Sequence, residues 1–251
     1  MKHFSAWNFN KRKRLITLIV IVAFVVMMVF MYPMNVLHVF NGGDKAVISK
    51  GNTSEKHVAL TFNISWGDVK VHDILKVLKN NDTEATFFLS GEWAERHPQI
   101  VEKIQEDKHE IGMLGYRYKN YLDEDLDKIK EDMLHAKEVF EKMDIDTNFI
   151  RPPSGIFDKD TIELAESLDL EVVHWSVNPK DWENPGTKKL TSQVMEQSGN
   201  GDIILLHASD AAKQTAEMLN EVLPKLQEKQ FKQVTISTLI KEVSVKEKLI
   251  E

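Results

Sequence analysis

Five short segments contain the side chains that could do chemistry. His207 could donate a proton or contact a ligand, Asp181 supplies a carboxylate, and Arg151 supplies a fixed positive charge. Each segment lies at or near the end of a run that the hydrophobic pattern predicts to be a β-strand. The segments are residues 61–64 (TFNI), 109–112 (HEIG), 151–155 (RPPSG), 181–182 (DW) and 205–207 (LLH).

The elements that must position these segments follow an alternating pattern. Seven apolar runs of strand length are each followed by a longer helical pattern, which predicts parallel strands joined by crossover helices. We predict an α/β fold, a β/α barrel, with a doubly wound open sheet as the alternative because alternation alone does not establish closure. In a β/α barrel, functional groups gather at the carboxyl ends of the strands. The predicted strands are residues 58–63, 85–89, 111–113, 149–150, 171–177, 202–207 and 232–236.

An apolar run near the N-terminus predicts a membrane anchor. Residues 15–32 carry no charge, and about 20 helical residues cross the hydrocarbon core of a bilayer. A cleaved signal peptide is the alternative, but its apolar region is shorter, about 7–15 residues. The basic residues 1–14 should stay cytoplasmic, so we expect a single-pass protein of the cell membrane with an extracytoplasmic C-terminal domain. Residues 33–55 are predicted to be a spacer, and residues 56–251 the folded domain.

Composition narrows the function. The chain has 251 residues, of which 42% are hydrophobic, and its net charge of −7 combines a basic N-terminus with an acidic remainder that suits nucleic acid poorly. The absence of cysteine excludes disulfides, cysteine zinc sites and a thiol nucleophile. Ser65 and Ser154 lie outside the Gly-x-Ser-x-Gly pattern, which argues against a serine esterase.

In this order, the five segments resemble the NodB-type polysaccharide deacetylases, carbohydrate esterase family 4, which remove acetyl groups from chitin-like or peptidoglycan glycans. The anchor, the length and the stretches NISWG (residues 63–67) and GYRYKNY (residues 115–121) are most similar to the membrane-attached PdaB-type sporulation subgroup. The resemblance implies a NodB-like, distorted β/α barrel, a cell-wall glycan as partner and a role in sporulation.

The chain departs from this family where its base and metal ligands should be. In the family, one Asp is the base, and another Asp with two His residues holds a divalent metal. Here the base position is Asn63, whose amide accepts no proton near neutral pH, and the usual ligand positions hold Ile64, Leu114 and Tyr118. We therefore expect no metal cofactor, and zinc or a similar ion only if the site has been rebuilt. Polar candidates for rebuilding it are Asp68, Glu92, His109, Glu110, His174 and Asp210.

Other family side chains are retained. The resemblance implies that His207 protonates the leaving amine and that Arg151 orients the base. Because Asn63 is neutral, we expect the charge of Arg151 to pair with Asp181 instead. The structural alternatives are a hydrogen-bonded histidine at a strand end, an arginine in a proline-stiffened loop, and an aspartate that caps a loop.

Aromatic side chains surround the expected groove. The resemblance places Trp182 and Leu205 on the wall of an acetate pocket, and Trp66 and Tyr118 lie on neighbouring loops, where aromatic planes suit the C–H faces of sugars. Alternatively, several of the aromatic residues pack inside the barrel, with Tyr118 filling the space of the lost metal.

We therefore predict a deacetylase-like protein that acts on or binds cell-wall glycan, with the family's metal triad absent. One alternative is an active N-deacetylase that hydrolyses C–N non-peptide bonds at a rebuilt site. The other is a non-enzymatic signalling or scaffold protein of the cell envelope. The sequence indicates no particular protein partner.

Overall fold

Parallel strands build the sheet that carries the predicted site. The computed structural model describes residues 47–241, all within one compact unit. The strands are β1 (His57–Ile64), β2 (Thr86–Leu89), β3 (Glu110–Met113), β4 (Phe149–Ile150), β5 (Glu171–Val172), β6 (Ile203–His207) and β7 (Lys232–Gln233). They lie in the order β5-β4-β3-β2-β1-β6, with every pair parallel and β7 paired to the start of β1.

The sheet curves until its two edges meet. Beyond β5, Val177 forms a parallel bridge to Ile204 of β6, and its N–H donates to the carbonyl of Ile203 (3.1 Å). From β1 to β5 the spatial order follows the sequence, without the reversal that defines a doubly wound sheet. The predicted parallel α/β fold is confirmed, and the open-sheet alternative does not fit this connectivity.

Helices connect the strands and cover the outside of the sheet. Residues 91–96 form a short helix that the sequence did not predict, because six residues are too few to show a helical period. The helices are α1 (Lys70–Asn80), α2 (Gly91–Arg96), α3 (Pro98–Glu106), α4 (Leu126–Lys142), α5 (Lys159–Ser167), α6 (Thr187–Gln197) and α7 (Thr215–Glu228).

Alternate side chains of the strands face two separate cores. Leu60 and Phe62 of β1 belong to the cluster shared with the helices. Ala59 of β1, Phe88 of β2 and Ile203 of β6 belong to the cluster that fills the inside of the barrel. The candidate site therefore lies on top of a packed interior, and its side chains continue the inward faces of β1 and β6.

The folded domain begins before residue 56. Ile48 bridges to Val173, Gly51 N–H donates to the carbonyl of Gly201 (2.8 Å), and Lys50 Nζ lies 2.8 Å from Asp202 Oδ1. The end of the predicted spacer, residues 33–55, is thus part of the domain, which it joins through backbone bonds that leave little trace in a hydrophobic pattern.

The predicted basic segment (residues 1–14) and membrane anchor (residues 15–32) lie outside the described residues. Within residues 47–241, no helix is both long enough and apolar enough to cross a bilayer.

Candidate functional site

Asn63 and His207 stand side by side at the carboxyl ends of β1 and β6. They are register partners in the parallel ladder, and Ala208 N–H donates to the carbonyl of Asn63 (2.9 Å). Neighbouring strands are about 5 Å apart, and paired residues present their side chains to the same face of the sheet. The two side chains predicted at the base and acid positions are therefore neighbours.

Arg151 lies beneath this pair and is completely buried. Its Nη1 donates to Asn63 Oδ1 (2.8 Å), its Nη2 to the carbonyl of His174 (3.0 Å) and its Nε to the carbonyl of Val173 (3.3 Å). All three acceptors are neutral. The expected pairing of Arg151 with Asp181 is wrong, because backbone carbonyls and the Asn63 amide bind the guanidinium and Asp181 is bound elsewhere.

Aromatic rings complete the surroundings of Arg151. Its guanidinium carbon lies 4.0 Å from the centroid of the Phe88 ring and 5.6 Å from that of Trp175. No carboxylate among the described residues forms an ion pair with it, and burial lowers the pKa of Arg151 to about 9. The side chain is therefore still a cation at neutral pH, held by dipoles and ring faces rather than by a counter-ion.

Two glycines of the sequence segments make room for these rings. A Cβ at Gly112 would lie 2.6 Å from Phe88 Cε1, so a side chain there would displace the ring under Arg151. Gly155 has φ +69°, and a Cβ there would collide with Trp175. The glycines of the HEIG and RPPSG segments thus serve the packing around Arg151.

Asp181 and His207 form the second part of the site. Asp181 Oδ1 accepts from His207 Nδ1 (2.8 Å), while Oδ2 accepts from the His207 backbone N–H (2.8 Å) and from Thr215 Oγ1 (2.7 Å). Asp181 and Thr215 are fully buried. Because a carboxylate only accepts, Nδ1 carries the proton and Nε2 is the ring nitrogen left for a ligand.

The loop after β5 brings Asp181 to His207. Asp181–Glu183 form a 3₁₀ turn between two residues in the left-handed conformation, Lys180 (φ 57°) and Asn184 (φ 51°). Asn184 ties this turn to the loop after β6, since its Nδ2 donates to the carbonyl of Ala211 (2.8 Å). Trp182 meets the His207 ring edge to face, with centroids 4.8 Å apart.

The positions that hold metal ligands in the family cannot do so here. Ile64 and Leu114 are fully buried alkyl side chains without a lone pair, and Tyr118 is 46% exposed. The described residues contain no group of three His, Asp or Glu side chains arranged to hold a metal ion. The donor set that is present therefore does not fit the family's metal.

Three of the polar side chains considered for a rebuilt site, Asp210, His109 and His174, have positions or contacts that do not suit a metal site. Asp210 Oδ1 accepts from the backbone N–H groups of Val69 (3.0 Å) and Lys70 (2.8 Å) at the start of α1. His109 precedes β3 at the opposite end of the barrel, where burial lowers its pKa to about 4. The ring of His174 stacks on Trp175 at 3.8 Å.

The aromatic residues divide into exposed and packed groups. Trp66, Tyr118 and Trp182 follow β1, β3 and β5 and are 53%, 46% and 37% exposed. Tyr121 is buried and donates to Asp132 Oδ2 (2.8 Å). Tyr116 stacks on a histidine of α4. Leu205 is buried and shares the inward face of β6 with His207. Three predicted glycan-contacting rings are thus open to a ligand, whereas Tyr116 and Tyr121 pack against α4.

Sequence reasoning missed Thr215, Phe88 and Trp175. Thr215 begins α7 and carried no motif. Phe88 could have been found, because alternation along β2 places it on the inward face that β1 shares.

Comparison with known proteins confirms the polysaccharide deacetylase family, while the PdaB-type subgroup stays a prediction. The sequence profile of the Polysaccharide deacetylase family matches residues 50–173. A peptidoglycan-N-acetylglucosamine deacetylase of Bacillus cereus is 30% identical over 191 residues, which cover 75% of this chain and 90% of that protein. The protein YlxY of Bacillus subtilis is 31% identical over 196 residues, which cover 78% of this chain. This chain therefore spans only 60% of the length of YlxY.

Solved structures similar to this chain include a pseudoenzyme and a mutant of it. A CE4 family pseudoenzyme from Bacillus anthracis superimposes with a TM-score of 0.74 at 29% identity, covering 78% of this chain and 69% of that one. A mutant of that pseudoenzyme with restored enzymatic activity has the same TM-score.

Proposed function

This chain belongs to the polysaccharide deacetylase family, and on that premise we propose that it binds cell-wall glycan at the carboxyl end of its barrel without metal-dependent deacetylation. The peptidoglycan deacetylase among its relatives supports a peptidoglycan-type glycan. The solved pseudoenzyme supports the idea that a member of this family can keep the fold without the activity.

One observation carries the proposal. Asn63 occupies the base position, and its only acceptor atom, Oδ1, already binds Arg151. An amide does not accept a proton near neutral pH, so Asn63 cannot activate water as a base, and Ile64 and Leu114 offer no ligand to a metal that could activate water instead. Exposed rings, including Trp66 and Trp182, nevertheless surround the mouth and can stack on sugars.

Binding and turnover must be measured together on the full-length chain in mild detergent. We expect calorimetry to detect binding of fully acetylated chitotetraose or peptidoglycan fragments in the presence of EDTA, with equal affinity after zinc is added. Trp182→Ala should weaken that binding about tenfold, because it removes a stacking face. Absence of binding to either glycan would contradict the proposal.

A slow N-deacetylase is the second candidate, favoured by the hydrogen bonds that link His207 and Thr215 to the carboxylate of Asp181. A protonated His207 could pass the proton on Nε2 to the leaving nitrogen as the C–N bond breaks, while water forms the new C–O bond and loses one proton to solvent, which releases the free amine and acetic acid. Acetate release that survives EDTA and disappears in His207→Gln would favour this candidate. Release that His207→Gln does not change would exclude it.

We also propose that residues 15–32 anchor the chain in the cell membrane, with the domain outside. The uncharged run and the basic residues before it support this topology. The chain should stay in membranes washed with carbonate, and protease added to spheroplasts should cut the domain. A protein that washes off, or that is protected from protease, would contradict the topology.

A role in sporulation is proposed from the similarity to the PdaB-type subgroup. Deleting the gene should change the glycan composition or heat resistance of the spores. Spores that match the parent strain in both respects would contradict this role.

A further inference from the structure

We propose that Asn63 is a ligand-binding residue that recognises the carbonyl oxygen of an intact acetamido group, so that the site distinguishes acetylated from deacetylated sugar. This inference rests on the proposed glycan-binding function and specifies which group of the glycan is recognised. In this proposal Asn63, which occupies the position of the family's base, acts as a hydrogen-bond donor.

Arg151 sets the orientation of the Asn63 amide. Asn63 could in principle point either its oxygen or its nitrogen at the guanidinium. Every guanidinium nitrogen donates and none accepts, so the atom 2.8 Å from Arg151 Nη1 must be Oδ1. The amide nitrogen, Nδ2, therefore points away from Arg151.

Asn63 Nδ2 is left without a partner. The side chain is only 5% exposed, and Nδ2 makes no hydrogen bond to any residue between 47 and 241. It is also not enclosed, since the fully buried side-chain polar atoms that lack partners in that range are Asp107 Oδ2, His109 Nε2, Gln193 Oε1 and Ser198 Oγ. A nearly buried donor therefore faces the open end of the barrel with its hydrogen-bonding capacity unused.

His207 provides the complementary group beside it. Its Nδ1–H is bound to Asp181, so in the neutral ring Nε2 is an acceptor. Asn63 and His207 are register partners on adjacent strands, about 5 Å apart at the backbone. The C=O of an acetamido group can accept from Asn63 Nδ2, and His207 Nε2 remains free to accept from a donor of the same ligand.

A deacetylated sugar lacks this complementarity. Its ammonium group has no acceptor for Asn63 Nδ2 and brings a positive charge near the buried guanidinium of Arg151, which has no carboxylate partner among the described residues. Leaving a nearly buried donor unpaired is costly, so sites of this kind discriminate strongly between ligands that do and do not satisfy them.

The test compares two ligands and three forms of the full-length chain in EDTA. Wild type should bind fully acetylated chitotetraose at least about tenfold more tightly than the fully deacetylated tetramer. Asn63→Asp should lose at least about tenfold in affinity for the acetylated ligand, because it replaces the donor with an acceptor, while its melting temperature should not fall, since Arg151 gains a carboxylate. Asn80→Asp on the exposed end of α1 adds the same charge away from the site and should leave both affinities unchanged.

The possible failures are distinguishable. Wild type that binds neither the tetramers nor acetylated peptidoglycan fragments would overturn the proposed glycan-binding function itself; if only the fragments bind, their acetylated and deacetylated forms replace the tetramers in the comparison. Wild type that binds both equally would leave glycan binding intact and overturn the role of Asn63. That role would also be overturned by Asn63→Asp binding the acetylated tetramer as tightly as wild type. The comparison of ligands on wild type needs no variant, so a poorly folded Asn63→Asp would not prevent a decision.

Discussion

The two halves of the site differ in how their polar groups are satisfied. In the histidine half, formed by Asp181, His207 and Thr215, a buried carboxylate accepts three hydrogen bonds. In the asparagine half, formed by Asn63, Ile64, Leu114 and Tyr118, the polar groups expected from the family are replaced by one amide, two alkyl chains and a half-exposed phenol.

The hydrogen bonds of Arg151 show how a buried charge is stabilised next to the asparagine half. Its three hydrogen bonds go to Asn63 and to two backbone carbonyls. The guanidinium is therefore held in the buried site although no carboxylate among the described residues pairs with it. A buried guanidinium is tolerated when its N–H groups have acceptors, and the amide oxygen of Asn63 supplies one of them. The comparison suggests that the asparagine half is a stable arrangement with its own binding chemistry.

We expect the largest loss of stability from a substitution in the histidine half. Asp181→Ala should lower the free energy of unfolding by about 3 kcal/mol, because it leaves the His207 N–H, the His207 ring and the Thr215 hydroxyl without their acceptor. Urea denaturation at pH 7 would measure the loss, and Asp181→Asn, which keeps one oxygen, should lose about half as much. Equal stability of all three proteins would contradict the picture of a tightly coupled half.

A histidine without such a carboxylate bond provides the contrast to His207. Burial lowers the pKa of His109 to about 4, below its ordinary 6.5, so the unfolded chain takes up its proton first as the pH falls. His109 should therefore cost about 2 to 3 kcal/mol of stability between pH 7 and pH 4.5. Burial also lowers the pKa of His174, which acts in the same direction.

Urea denaturation at both pH values would isolate the effect of His109. In His109→Gln the loss on acidification should shrink by most of that amount, whereas His72→Gln on the exposed face of α1 should behave as wild type. An unchanged loss in His109→Gln would mean that acid acts elsewhere, for instance on the site.

In the asparagine half, we expect one substitution to increase the stability of the folded protein. Asn63→Asp should raise the free energy of unfolding by about 1 to 2 kcal/mol, because a carboxylate 2.8 Å from Arg151 Nη1 would neutralise a buried charge. Denaturation at pH 7 would measure the gain, with Asn80→Asp as the control for added charge. A loss of stability would show that the amide is already the better partner.

We expect the smallest change in stability from removing the hydrogen bond that Thr215 donates to Asp181. Thr215→Val should lower the free energy of unfolding by about 1 kcal/mol, because Asp181 Oδ2 loses one donor while the shape of the side chain is kept. Thr215→Ser retains the hydroxyl and should match wild type more closely. If serine and valine behave alike in urea denaturation, packing rather than the hydrogen bond explains the position.

Alternation of strands and helices was enough to predict a parallel α/β fold, whereas the choice of a barrel over an open sheet drew on the family resemblance of the ordered segments, which also predicted which loops meet. The predicted strand 171–177 is longer than β5, which ends at Val172. After β5 the chain turns away from β4, and Val177 pairs with Ile204 of β6 instead. Such a bend is set by closure of the barrel and leaves no hydrophobic period.

The partners within the site were harder to predict. Arg151 binds two backbone carbonyls, and carbonyls have no signature in a sequence. Thr215 meets Asp181 across 34 positions of chain, a contact that only the packing of α7 creates. Residue types could therefore show what was lost at Asn63 and Ile64, but not how the remaining polar groups would be satisfied.

The most direct test of the central claim is acetate release by the full-length chain from acetylated chito-oligomers and peptidoglycan, with zinc, cobalt or nickel and with EDTA. We expect no metal-dependent release, together with retained binding of the acetylated glycan. Acetate release that requires a metal and stops with EDTA would contradict the claim, because it would require a ligand set that Asn63, Ile64, Leu114 and Tyr118 do not provide.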